Sequence, residues 1–281
     1  MADLTMRAST ELTNIVPEQW SAKFYPTLLE SLPFNDVIDR SYQGDISALG
    51  DTVNISQVPQ FGAATELAED AKADADAVTV TNSQLVINKQ VVKDYIITSQ
   101  AMRQSLDASN QLRDMALHSV MKKMQSIIIA AIVPNAATPD HSIAYDSGTT
   151  LALADILEAK ELLDDQDVPD DGSRCMILDS AQHNDLFNIT GFTSRDFIPS
   201  GSPLTAGSFS TNLLGFRPKA TTEAASVAYL FHPSFMTLAV QRSPSVEVFN
   251  QGVDGRRSQR VNLSVLFGVA QLDGLRVVSI S

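Results

Sequence analysis

Apolar and polar residues alternate with a period of two over Val53, Asn54, Ile55 and Ser56, the pattern of a half-buried strand, and Gly44 and Gly50 punctuate the approach to it. This predicts a strand over Asp51–Val58, a 25-residue excursion from Pro59 to Ser83, and a returning apolar strand from Gln84 to Thr98. A two-stranded arm of that length has no face of its own on which to build a core, so it is marginal unless something else packs against it. It reads as an arm made for a neighbouring subunit.

The period then changes. Leu112, Ala116, Val120, Met124, Ile128 and Ile132 fall four apart, with Leu117, Met121 and Ile127 widening the stripe and Lys122 and Lys123 opposite, so a core-facing helix is predicted over Asn110–Val133. At 1.5 Å per residue it would be about 35 Å long, the natural spine of the molecule. A second helix is predicted over Thr150–Asp165, with Leu153, Ile156, Leu157, Ala159 and Leu163 on one face and Thr150 as N-cap. Pro169 and Gly172 close it. The strand Arg174–Leu178 runs into Asp179, which can cap the next helix with Gln182 at the reciprocal position of a capping box.

Upstream, Trp20, Phe24, Tyr25, Leu28, Leu29 and Leu32 suit one face of a short helix ended near Pro33, after an extended first stretch. Between Gly191 and Phe216 no period holds, which predicts a long loop that is functional or held by a partner. Five strands follow: Val227–Phe231, Met236–Gln241, Val246–Phe249, Arg260–Phe267 and Leu275–Ile280.

Composition narrows the class. At 281 residues and 44% hydrophobic content the chain can bury a substantial core. Its net charge of -13 is uneven: residues 217–281 hold seven Lys and Arg against four Asp and Glu, leaving 13 against 29 in residues 1–216. Bulk nucleic-acid binding is disfavoured by that balance. Cys175 is the only cysteine, so no intrachain disulfide exists, and it reads as a small buried hydrophobe. The apolar run Ile127–Val133 is too short to span a bilayer and the N-terminus lacks the order of a secretion signal. The expectation is a soluble, cytoplasmic protein.

Little in the sequence suggests catalysis. His118, His141, His183 and His232 lie far apart and none belongs to a metal pattern. No GxGxxG, GxxxxGK[ST] or GxSxG occurs, so dinucleotide, nucleotide and serine-hydrolase chemistry lack their residues. The cluster Asp164, Asp165, Asp167, Asp170 and Asp171 lacks the glycine and distal glutamate of a calcium loop and reads as a solvated turn. No cofactor or metal is expected. Two charged clusters remain. Glu66, Glu69, Asp70, Asp74 and Asp76 lie in the excursion, either as a solvated surface loop or as the acidic tip of a projecting hairpin. Arg256, Arg257 and Arg260 form the only compact basic group, without the interleaved aromatics of a nucleic-acid site. They fit an intersubunit salt bridge, or an acidic tip such as Glu66–Asp76 on a neighbour.

The succession of elements resembles the major capsid proteins of tailed bacteriophages, the Hong Kong 97-like fold. The resemblance is carried by Gly50-Asp51-Thr52-Val53 opening the hairpin, and by Leu162-Leu163-Asp164 through Val168-Pro169 to Arg174-Cys175-Met176-Ile177-Leu178 before a capped helix. Leu214-Gly215-Phe216 and Leu230-Phe231-His232-Pro233 continue it, over nearly the whole chain from Trp20 to Ile280.

That resemblance implies an α+β capsid fold: an N-terminal arm (1–49), an E-loop hairpin (50–98), a peripheral domain with a spine helix (99–150), an axial domain with a long loop (151–226), and C-terminal strands completing both (227–281). It implies a structural subunit, not an enzyme, that forms the pentamers and hexamers of an icosahedral head enclosing double-stranded DNA. A separate scaffolding protein, a portal at one vertex and a decoration protein are the implied partners, with no membrane, assembly in the host cytoplasm and a final place in the virion. An encapsulin-type compartment, distinguished by protein cargo, and an enzyme with an unrecognised site, distinguished by small-molecule turnover, are the alternatives.

Overall fold

The computed structural model describes residues 33–46, 52–58, 78–98, 106–146, 148–189, 212–253 and 256–281, together with Ala64, Glu66, Lys72 and Phe192. The helix expected before Pro33, most of the 191–216 loop and Glu69, Asp70, Asp74 and Asp76 lie outside the described residues.

A single helical turn, α1 (Phe34–Val37), precedes the hairpin β1 (Thr52–Gln57) and β2 (Thr81–Val86). These pair antiparallel from Thr52 opposite Val86 to Gln57 opposite Thr81. The expected returning strand does not run unbroken to Thr98. It stops after Val86 and restarts as β3 (Lys89–Thr98) in a different sheet, with Ile87 buried at the break. Packing of Ile87 against Ile55, Leu85 and Ala239 outweighs the continuous apolar pattern.

The long helix α2 (Leu106–Ala130) spans 25 residues. Ala116, Val120, Met124 and Ile128 are buried as the period demands, but Leu112 and Leu117 are exposed, so the buried stripe is narrower than the sequence implies toward the helix start. Lys122, on the far side, pairs with Glu223 at 3.0 Å.

Next come β4 (Ser142–Ile143), α3 (Leu153–Asp165), β5 (Cys175–Leu178), α4 (Ser180–Asn188), β6 (Arg217–Ala220) and β7 (Ala228–Phe231). The expected N-cap of α3 moves from Thr150 to Ala152, whose methyl group cannot accept a hydrogen bond. Buried Asp155, in the first turn, supplies the reciprocal contact, accepting from the Ala152 N–H at 2.8 Å and the Asp146 N–H at 3.0 Å. At α4 the capping box forms as read: Asp179 accepts from the Ser180 N–H at 2.7 Å and Gln182 accepts from the Asp179 N–H at 2.9 Å.

The strands expected at Met236–Gln241 and Val246–Phe249 merge into one, β8 (Met236–Val253), paired with β9 (Arg256–Gln271). Register shifts at Arg242 and Ser245 let the strand continue past Ser243-Pro244, because a bulge tolerates a residue with no N–H to donate. The last strand is β10 (Val277–Ile280), entered through a 3₁₀ turn at Gly274–Arg276 rather than starting at Leu275.

Two larger sheets organise these elements, in the orders β4-β10-β7-β5-β6 and β3-β9-β8. All four residues of β5 are buried because its sheet is a wall between two cores. Cys175 and Ile177 face one side with α2, Phe231 and Phe235, while Met176 and Leu178 face the other with Ile156, Leu163 and Leu186. Phe34 stacks on Phe231 at 5.9 Å, tying α1 to the first core. On β9, Val261, Leu263, Val265 and Phe267 alternate inward onto α2. The chain crosses between the two bodies three times: after α2 toward β4, from β7 to β8, and from β9 to β10. Among the described residues no helix is long and apolar enough to cross a membrane.

Candidate functional site

The hairpin is anchored at one end and bare at the other. Ile55 and Leu85 bury against Ile87 and Ala239, with Tyr42, Leu266 and Leu272 around them. Gln57 donates from Nε2 to the Leu272 carbonyl at 2.8 Å, and Ser56 donates to Asn82 at 3.0 Å across the two strands. Beyond that base Val58, Val78 and Val80 are 68%, 51% and 50% exposed. Three valines in water at the mouth of a two-stranded arm suit a contact surface. Glu66 is exposed in the excursion.

Of the three arginines expected to act together, Arg260 is engaged within the chain. It pairs with Asp94 on β3, a residue sequence reading did not single out, and Asn262 bonds the same carboxylate. The Arg260 hydrogen bond holds the Asp94 carboxyl below the usual carboxylate range, with Asn262 helping. The register explains the pairing: Asp94 stands opposite Asn262 and one step diagonal from Arg260. Ile96 and Phe249 stand opposite Arg260 on either side, and both are exposed. Arg256 and Arg257 begin β9, opposite Val253 and Gly252 at the far end of the β8–β9 ribbon. The side chains of Arg256 and Arg257 lie outside what the structure describes.

The acidic turn is engaged in structural contacts. In the acidic turn, Lys160 bridges Asp164 at 2.9 Å and Asp170 at 3.5 Å. Asp171 accepts from the Ser173 hydroxyl and, at 2.9 Å, its N–H; those bonds lower its carboxyl to about 2. Burial opposes ionisation of Asp164, yet hydrogen bonds from Lys160 and Arg174 outweigh it and keep the group below its ordinary range. Among the described residues no three His, Cys, Asp or Glu side chains are arranged to hold a metal ion. Cys175 is buried and its thiol is pushed up by burial. Burial lowers His183.

Arg174 is the organising residue that sequence reading missed. It is 1% exposed, bonds the Val168 and Pro169 carbonyls, pairs with Asp164 at 2.7 Å, and lies 5.9 Å over the Phe216 ring. An arginine heading an otherwise apolar strand just after an acidic run was the available signal.

Over residues 34–281 the chain matches the family model described as phage capsid protein. No curated protein matches it. Among solved structures it is similar to a chain from Mycobacterium phage Che8, with TM-score 0.74 and 22% identity, covering 96% of this chain and 98% of that one. The capsid asymmetric unit of cyanophage Pam1 matches at TM-score 0.73 and 16% identity over 100% of this chain and 98% of the other. The capsid structure of cyanophage P-SCSP1u matches at TM-score 0.72 and 13% identity, over 96% and 93%. At these identities the likeness is one of fold.

Proposed function

Because the chain belongs to the phage capsid protein family, and is thus a structural, shell-forming protein of the virion, we propose that it builds the pentamers and hexamers of an icosahedral head around double-stranded DNA. In this reading the β1–β2 hairpin with the excursion between its strands is the E-loop, and α2 is the spine helix of a peripheral domain. The five-stranded sheet with α3 and α4 is the core of the axial domain. The divisions 1–49, 50–98, 99–150, 151–226 and 227–281 follow, the last supplying β8 and β9 to one sheet and β10 to the other.

The observation that carries the reading is the hairpin itself, with a base packed into the molecule and valines in water beyond it. A closed shell needs repeated heterologous contacts around cyclic axes, and an anchored arm supplies one partner of such a contact. The acidic residues Glu66, Glu69, Asp70, Asp74 and Asp76 complement Arg256 and Arg257 of a neighbour in charge, while Arg260 braces the strand from which those arginines extend through its pair with Asp94. A separate scaffolding protein, a portal at one vertex and a decoration protein are the further partners, with assembly in the host cytoplasm. No catalytic role is assigned: the acidic turn is spent on Arg174, Lys160 and backbone caps.

Negative-stain electron microscopy with light scattering of the purified chain, alone and with its scaffold, tests this. Closed shells, capsomers or curved sheets are expected. A uniform monomer or dimer under every condition would overturn it.

A further inference from the structure

The three crossings between the two bodies meet at one waist. Val133, just past α2, donates its N–H to Gln271 Oε1 at 2.7 Å and accepts from Gln271 Nε2, while the Asn135 N–H reaches the Gly274 carbonyl at 3.2 Å. The Leu272 and Asp273 N–H groups both donate to the Phe235 carbonyl, at 2.8 and 3.1 Å. The 3₁₀ turn Pro233–Phe235 at the β7–β8 crossing is thereby laced to the turn Gly274–Arg276 at the β9–β10 crossing.

His232 sits inside this lacing with only 14% of its side chain exposed. Its Nδ1 accepts from the Ser234 N–H at 3.3 Å, capping the turn, and lies 2.7 Å from the Ser234 hydroxyl. That hydroxyl accepts from Arg276 at 2.8 Å, and Arg276 in turn pairs with Asp273 at 3.1 Å. An Nδ1 that accepts a backbone N–H carries no proton, so the neutral ring holds its proton on Nε2. Nε2 is buried without a hydrogen-bond partner and faces Asp171 at 3.7 Å, across the gap to the acidic turn. The charged groups around the ring are Asp171 from that turn, Arg174 from the head of β5, and Arg276 with its partner Asp273 from the β9–β10 crossing.

We propose that His232 is a proton-operated latch on the waist between the two sheets. Neutral, it caps the Pro233–Phe235 turn and holds the two crossings in register. Protonation places a second N–H on the ring, which can donate to the Ser234 hydroxyl but no longer accepts from the Ser234 N–H, while Nε2 gains a full charge pair with Asp171. The turn loses its cap as the ring is drawn toward the acidic turn, and the waist loosens. Burial, more than the two arginines, lowers the proton affinity of His232, and Asp171 opposes it. The latch is therefore closed at neutral pH and opens as pH falls below the ordinary imidazole range. It depends on the fold alone and stands whether or not the chain forms shells.

Peptide-resolved hydrogen exchange on the full chain tests it, following the segments around Ser234 and around Leu272–Asp273. Between about pH 7.5 and about pH 5.5 the wild type should lose roughly tenfold in protection, after correction for intrinsic rates. His232→Asn keeps a capping oxygen but cannot titrate, and should change by less than about twofold. Asp171→Asn keeps an amide oxygen that can accept from the Ser173 N–H, removes the charge that favours the protonated ring, and should shift the midpoint to lower pH. Unchanged protection in the wild type, an equal loss in His232→Asn, or a midpoint that Asp171→Asn leaves in place or raises would each overturn the latch. If His232→Asn fails to fold, the Asp171→Asn midpoint decides alone.

Discussion

Gly268 and Val86 are in backbone contact: a Cβ on Gly268 would stand 2.5 Å from the Val86 carbonyl oxygen and 3.1 Å from the Ile87 Cα. The hairpin thus passes over β9 at the one place where β9 has no side chain, which is where β2 ends and β3 has yet to begin. Gly268→Ala should push the base of the hairpin off the sheet, at a cost of about 1–3 kcal/mol. Denaturant unfolding measures the loss, and particle yield should fall with it. An alanine variant with wild-type stability would show that the crossing relaxes freely.

Arg174 should be the costliest single side chain in the acidic turn. Arg174→Ala removes two carbonyl partners, the Asp164 pair and the stem packed near Phe216, and is expected to destabilise by about 1–3 kcal/mol. Arg174→Lys should rescue little, since one ammonium cannot serve the same carbonyls and carboxylate in a planar fork. Equal stability of the lysine variant and wild type, read from thermal unfolding, would count against this account.

The Asp94–Arg260 pair is exposed, so a double-mutant cycle with Asp94→Asn and Arg260→Gln should give only a small coupling. Asp94 has a lowered carboxyl, so the pair's contribution is present above the ordinary Asp range and is lost as pH falls through the lowered value. High salt should shrink the coupling. If Arg256 and Arg257 meet an acidic neighbour, Arg256→Ser with Arg257→Ser should slow assembly with a strong salt dependence and leave subunit stability unchanged. Light-scattering kinetics over a salt series separate the two effects.

Removing Pro59–Thr79 spares every paired residue of β1 and β2 and should leave a folded subunit with its thermal transition intact but without shells. Normal particles by electron microscopy would remove the hairpin from the assembly contact.

The local elements were legible because their causes are local. The four-residue spacing along α2, the Asp179–Gln182 capping box and buried Cys175 each follow from a few neighbouring residues. What escaped depends on residues far apart in the chain. Nothing between Gln84 and Thr98 says that the strand must break at Ile87, because the cause is Ala239 and Gly268 on β8 and β9. Asp94 was overlooked for the same reason: it becomes a partner of Arg260 only through a register set by the β3–β9 ladder. The cap of α3 moved inward because Asp155, three residues along, could serve the Ala152 and Asp146 N–H groups at once. Arg174 was read only as the start of a strand, because the Val168 and Pro169 carbonyls that bury its guanidinium are backbone groups that no residue type announces.

Both larger sheets are closed by the same late stretch of chain. β9 is the central strand of one, and β10 lies between β4 and β7 in the other. A nascent chain can therefore finish neither body until residues 256–280 have left the ribosome, since among the described residues β3 pairs only with β9 and β4 only with β10. Interrupted synthesis would yield copies with two open sheets, which proteases and chaperones recognise, rather than near-complete subunits able to poison a growing lattice.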